Sequence, residues 1–108
     1  METLVVKYKL KPGVEKIVEE WKQYSLDHRD EIIVRLKAEG VVVETAFIEK
    51  AGDEMFLYYF LKAHSLEKVY EIFDASQDPV DLYQKEFKDK VIESRQQLEV
   101  AVDFGVLG

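Results

Sequence analysis

A chain of 108 residues, 47% hydrophobic and 12% aromatic, has room for one hydrophobic core and enough apolar surface to build it without staples, so a single domain over 1–108 is expected. It has no cysteine, which removes disulfides, thiolate metal sites and cysteine nucleophiles together. With 22 acidic against 15 basic residues the formal net charge is −7, which repels phosphate backbones and anionic membranes; the lysines form no basic patch, so neither nucleic acid nor a membrane is expected as partner.

The opening METLVVKYKL has no basic stretch leading into an apolar one, and no apolar run approaches the ~20 residues of a spanning helix. A cytoplasmic location is the expectation. Thr3 to Leu10 is rich in β-branched and aromatic residues and is punctuated by Lys11-Pro12-Gly13, which predicts a first strand and a turn. The period then changes. Val14, Ile17, Val18, Trp21, Ser25, His28, Ile32 and Leu36 recur at steps of three and four, with Glu15, Glu19 and Glu20 early and Lys37 late, as the helix dipole favours. One long amphipathic helix ending at Gly40 is predicted.

Val41 to Lys50 and Glu54 to Lys62 read as strands joined by Ala51-Gly52-Asp53, a hairpin connection. Ser65 should cap a short helix from Leu66 to about Ala75, and Asp78-Pro79-Val80-Asp81 should start another, reaching about Arg95 with Val80, Tyr83, Phe87 and Val91 inward. Leu98, Val100, Val102 and Phe104 alternate with Glu99, Ala101 and Asp103, which predicts the last strand there; Gly105 to Gly108 should be loose. The fold class is therefore α+β: a ferredoxin-like βαββαβ sandwich, its second helix split in two, with a four-stranded antiparallel sheet of order 4-1-3-2.

With Gly52-Asp53 at the hairpin tip, one face carries Val43, Thr45, Phe47, Tyr58 and Phe60, and the other Val42, Glu44, Ala46, Ile48, Leu57, Tyr59 and Leu61. Both faces are apolar, which calls for a cover on the face without helices, and a second copy of the chain is the simplest one: a homodimer, paired through the sheet as in an α+β barrel.

Two polar residues, Ser25 and His28, interrupt the stripe of the long helix just after Trp21, and Glu44 sits inside the apolar run VVVETAFI. Helix and strand are consecutive, so Tyr8, Trp21, Ser25, His28, Glu44 and Tyr59 are candidates for one ligand pocket between helix and sheet. In the functional reading Glu44 orients His28, which acts as base or hydrogen-bond donor toward a small ligand. In the structural reading His28 lies at the stripe's edge, satisfied by solvent, Asp27 or Glu31, and Glu44 pairs with a lysine. His28 and His64 are the only histidines, and Asp27, His28 and Glu31 supply at most a partial metal site, so no metal is expected. No nucleotide loop, nucleophile elbow or paired-carboxylate motif is present, so no cofactor is expected either. Asp81 reads as a capping residue.

The opening strand followed by KPG, the helix with Trp21, and the segments GVVVETAFIEK, YYFLKA and ASQDPVD together resemble a family of small, mostly prokaryotic proteins of unknown function. More distantly the pattern is similar to the dimeric α+β barrel superfamily, which includes cofactor-independent monooxygenases, haem-degrading enzymes and muconolactone isomerases. The resemblance implies the fold and pairing through the sheet, and carries no catalytic residues over. The function expected is a homodimer that binds a small, partly apolar metabolite. A cofactor-independent monooxygenase or isomerase is one alternative, and a structural or regulatory dimer without ligand another; whether the protein is an enzyme stays open at this point.

Overall fold

The computed structural model describes residues 1–106; Leu107 and Gly108, the end of the segment expected to be loose, lie outside the described residues. Strand β1 (Glu2–Leu10) runs into a turn at Gly13, whose φ of +77° is one that a side chain disfavours. The helical stretch that follows is divided into α1 (Glu15–Asp27) and α2 (Arg29–Glu39), where one continuous helix was expected. The break is at His28, with φ −108° and ψ 24°. Its Nδ1–H donates to the Tyr24 carbonyl at 2.9 Å, the same oxygen that accepts the His28 backbone N–H at 2.9 Å. The Tyr24 carbonyl thus accepts from both the backbone and the side chain of His28, and α2 continues from Arg29 until Gly40, at φ +81°, closes it.

Strands β2 (Val41–Ala51) and β3 (Glu54–Ala63) form the hairpin, in a register that pairs Glu44 with Leu61, Ala46 with Tyr59 and Ile48 with Leu57. The two side-chain sets read from the sequence are therefore the two faces of the hairpin, apart from an irregularity between Val41 and Val43. Helix α3 (Leu66–Ala75) is capped by Ser65, whose side chain accepts from the Lys68 N–H, and α4 (Pro79–Val91) by Asp78, which accepts from the Val80 N–H at 3.1 Å.

The last strand is not where the alternating pattern placed it. Helix α4 ends at Val91 instead of near Arg95, and β4 is Ile92–Gln97, the polar run IESRQQ. It pairs antiparallel with β1, Val6 opposite Gln97 and Tyr8 opposite Arg95. As an edge strand its charged, exposed side chains discourage pairing with other chains, a use for which β propensity is no guide. The segment Leu98 to Phe104 follows as an arm outside the sheet.

The sheet order is β2-β3-β1-β4 with every neighbour antiparallel, the predicted order read from the other edge. The buried residues form two clusters. One gathers Leu10, Val14, Val18, Trp21, Leu57, Phe87 and Val91 between sheet, α1 and α4; the other gathers Leu4, Val6, Val41, Leu61, Ala63 and Val69 under α3. Tyr8 touches both. Between them α2 stands over the sheet without filling the space.

Candidate functional site

That space is a cavity of about 770 Å³, within the range of small-molecule sites. Three features of the chain create it. The helix breaks at His28, between α1 and α2. The side chains of Ile32 and Leu36 reach only its wall. Arg35 ties α2 to α4 instead of to the sheet: its Nε–H donates to Asp81 at 2.9 Å, and Asp81 is 5% exposed. Asp81 is thus the anchor of a helix–helix ion pair, in contrast to the capping role read from the sequence; Asp78 alone caps α4.

The aromatic wall is fixed by ring contacts and one hydrogen bond. Trp21 stacks on Phe87 at 4.7 Å and meets Tyr59 edge-on at 6.4 Å, while Tyr8 meets Tyr59 edge-on at 5.9 Å. The Trp21 Nε1–H donates to Gln84 Oε1 at 2.7 Å, so the indole faces the cavity with its polar atom already satisfied.

The remaining polar groups are not satisfied in that way. Glu44, on the cavity-facing side of β2, has no cation within 4.0 Å among the described residues. Burial raises its pKa, Asp81 adds to the rise, and Lys88 opposes it. Its surface stays open to the cavity while protein surrounds that cavity, so the carboxyl feels low-dielectric walls without being packed. Lys88 lies over the Tyr59 ring at 4.8 Å and the Phe73 ring at 5.4 Å, and burial lowers its pKa against the pull of Glu44. The Tyr59 hydroxyl is buried with no hydrogen-bond partner among the described residues, and burial, with Glu44 nearby, pushes it far above the ordinary phenol range. At the end of α2, Glu39 is 5% exposed; burial first, then Asp81 and Glu44, raise its pKa to about 7.

Of the six residues singled out in the sequence, Tyr8, Trp21, Ser25, Glu44 and Tyr59 line the cavity. His28 does not join them: its ring stacks on Tyr24 at 3.9 Å, and Tyr24 in turn stacks on Tyr83 at 3.5 Å. The structure therefore does not bring His28 and Glu44 together as orienter and base. Sequence reasoning missed Arg35 and Glu39 on α2 and Asp81, Gln84 and Lys88 on α4. The signal was present: 81, 84 and 88 follow the helical period as a polar stripe beside the apolar one of Val80, Phe87 and Val91.

Residues 1–106 match the model of a family of unknown function, DUF6176, and the chain belongs to that family. No curated protein matches it. Among solved structures, an Agrobacterium tumefaciens protein aligns over 100% of both chains at 20% identity and a TM-score of 0.59. L-rhamnose mutarotase from Formosa agariphila aligns over 97% of this chain and 100% of its own, at 16% identity and a TM-score of 0.55. These likenesses concern the fold alone, a ferredoxin-like α+β sandwich.

Proposed function

We propose that this member of a family of unknown function binds a small, partly apolar metabolite in the cavity between α2 and the sheet. The observation that carries the proposal is the convergence there of three groups with no hydrogen bond or ion pair among the described residues, the Glu44 carboxyl, the Lys88 amine and the Tyr59 hydroxyl, from three different elements. The Tyr59 hydroxyl is the buried one of the three, and buried polar groups are nearly always paired, so a ligand offering a hydroxyl or carbonyl beside an apolar body fits their arrangement. Trp21, Tyr8 and Tyr59 form the wall for the apolar part, and Ser25 stands at the α1 end. Lys88 and Glu44 oppose each other in charge, which favours an uncharged ligand or a zwitterion over an anion.

The same reading makes the protein a homodimer that pairs through the outer sheet face, where Val43 and Phe47 are 40% and 54% exposed, and places it in the cytoplasm. No helix of the described residues is long and apolar enough to cross a membrane.

The test is a thermal-shift screen of metabolites, reducing sugars included, followed by calorimetry on each hit. A true ligand raises Tm and loses affinity by about tenfold or more in Glu44→Gln and Lys88→Met. A hit whose affinity is the same in both variants occupies another place and sinks the site assignment.

A further inference from the structure

The arm after β4 is a strand by pattern that its own sheet does not use. The Leu98 N–H still donates to the Val5 carbonyl at 2.9 Å; beyond it the chain leaves β1. It returns to the outer face at Asp103, which accepts from Thr3 Oγ1 and, at 3.0 Å, from Lys62 Nζ. Held at both ends, the arm turns its apolar residues outward: Val100 is 45% exposed, Val102 70% and Phe104 84%. These apolar side chains, in a segment outside the sheet, are left uncovered in an isolated molecule.

The opposite margin of the sheet has the complementary lack. In the order β2-β3-β1-β4, β2 is an edge of 11 residues, with Val42, Val43 and Phe47 at 52%, 40% and 54% exposure. Its charges are Glu44, Glu49 and Lys50, and the stretch Val41–Val43 before them is wholly apolar; a long edge with exposed apolar residues invites an added strand. Within one copy Asp103 ties the arm over Thr3 of β1 and Lys62 of β3, so the arm forms no ladder with its own β2, whereas between two copies a two-fold axis can pair arm and edge twice over. The exposed apolar side chains of arm and edge amount to on the order of 700 Å² per copy, close to the roughly 800 Å² each partner contributes to a standard-size interface.

We propose that residues 98–104 of each copy add as a strand to the free β2 edge of a second copy, by the backbone pairing of β-augmentation. The inference rests on the dimer proposed above and names the device that locks it. It also reaches the site: Val42 and Val43 border the cavity mouth beside the exposed Leu26, so the second copy's arm forms part of the rim through which a ligand enters.

The experiment compares the full chain with its Val102→Asp/Phe104→Asp variant by sedimentation and by amide hydrogen exchange. Expected is a dimer in which the β2 amides not bonded to β3 are protected, and a variant whose dimer dissociation constant rises at least about tenfold as those amides lose protection while helix amides keep theirs. Because the chain has no cysteine, mixing a tagged Phe104→Cys chain with a Phe47→Cys chain under a short bifunctional maleimide gives an independent readout: an interchain product is expected. A dimer with freely exchanging β2 amides, the same dissociation constant in the variant and no interchain product overturns the arm while leaving face-to-face pairing intact. A monomeric full chain overturns both.

Discussion

Glu39 is the residue whose environment departs furthest from what its position on a helix end suggests. Burial raises its pKa from 4.5 to about 7, so the folded chain holds this proton more tightly than the unfolded chain does. The stability it contributes is complete below the unfolded value and is lost as pH rises through the folded one. Between pH 4.5 and 7 the loss is at most ~3 kcal/mol. Glu39→Gln should flatten that slope and be the more stable protein above neutrality, as urea unfolding across this pH range will show; equal slopes would mean the carboxyl is solvated. Trp21, 7% exposed and stacked on Phe87, should cost about 3–5 kcal/mol when changed to Ala, by the same unfolding assay. His28→Ala should leave ligand affinity within about twofold because its ring is turned to Tyr24; a large loss in calorimetry would return His28 to the site.

At the scale of elements, most of the fold was legible because pattern and burial agree. The hairpin's two faces, the caps at Ser65 and Asp78 and the terminator at Gly40 follow from local chemistry that tertiary contacts do not override. Three features were not legible, for distinct reasons. The break at His28 depends on a side-chain-to-carbonyl bond that periodicity does not encode. The run IESRQQ is a strand because β1 has a free side to pair with, not because its residues prefer β structure. The arm has the stronger strand pattern but lacks a partner within the chain. In the site, Glu44 and Tyr59 were found because their polar atoms are anomalous on an inward face, whereas Lys88 and Asp81 sit on a helix where polar residues pass as surface. The Arg35–Asp81 pair shows what that cost. Arg35→Met should leave the buried Asp81 carboxylate unpaired and lower Tm by several degrees, while Arg35→Met/Asp81→Leu should recover part of the loss; a double variant less stable than the single one would show that the pair contributes more than its own desolvation cost.

For the whole molecule, the outer sheet face is the surface that an isolated copy leaves least explained. Lys7 lies over Phe56 at 4.4 Å and near Tyr58 at 5.6 Å, so one part of that face is shielded by an aliphatic stem and its charge. Phe47, on β2, has no such cover. Phe47→Asp should therefore raise the dimer dissociation constant at least about tenfold with little change in the unfolding of the monomer, read by sedimentation and circular dichroism. An unaltered dimer would place the contact elsewhere.

The two buried clusters were described above as neighbours across a cavity. They are expected to open as separate cooperative units. The cluster around Leu57 and Phe87 is closed by two helices and both halves of the sheet, whereas the one around Leu61 and Val69 has only short α3 and the end of α2 above it. Local opening should begin in the second and spare the first, giving two tiers of amide exchange instead of one. A ligand in the cavity, whose lining includes Trp21 of the first cluster and Leu61 and Val69 of the second, would touch both, so occupancy should merge the tiers, and the protein's lifetime before proteolysis would then rise with the concentration of that ligand.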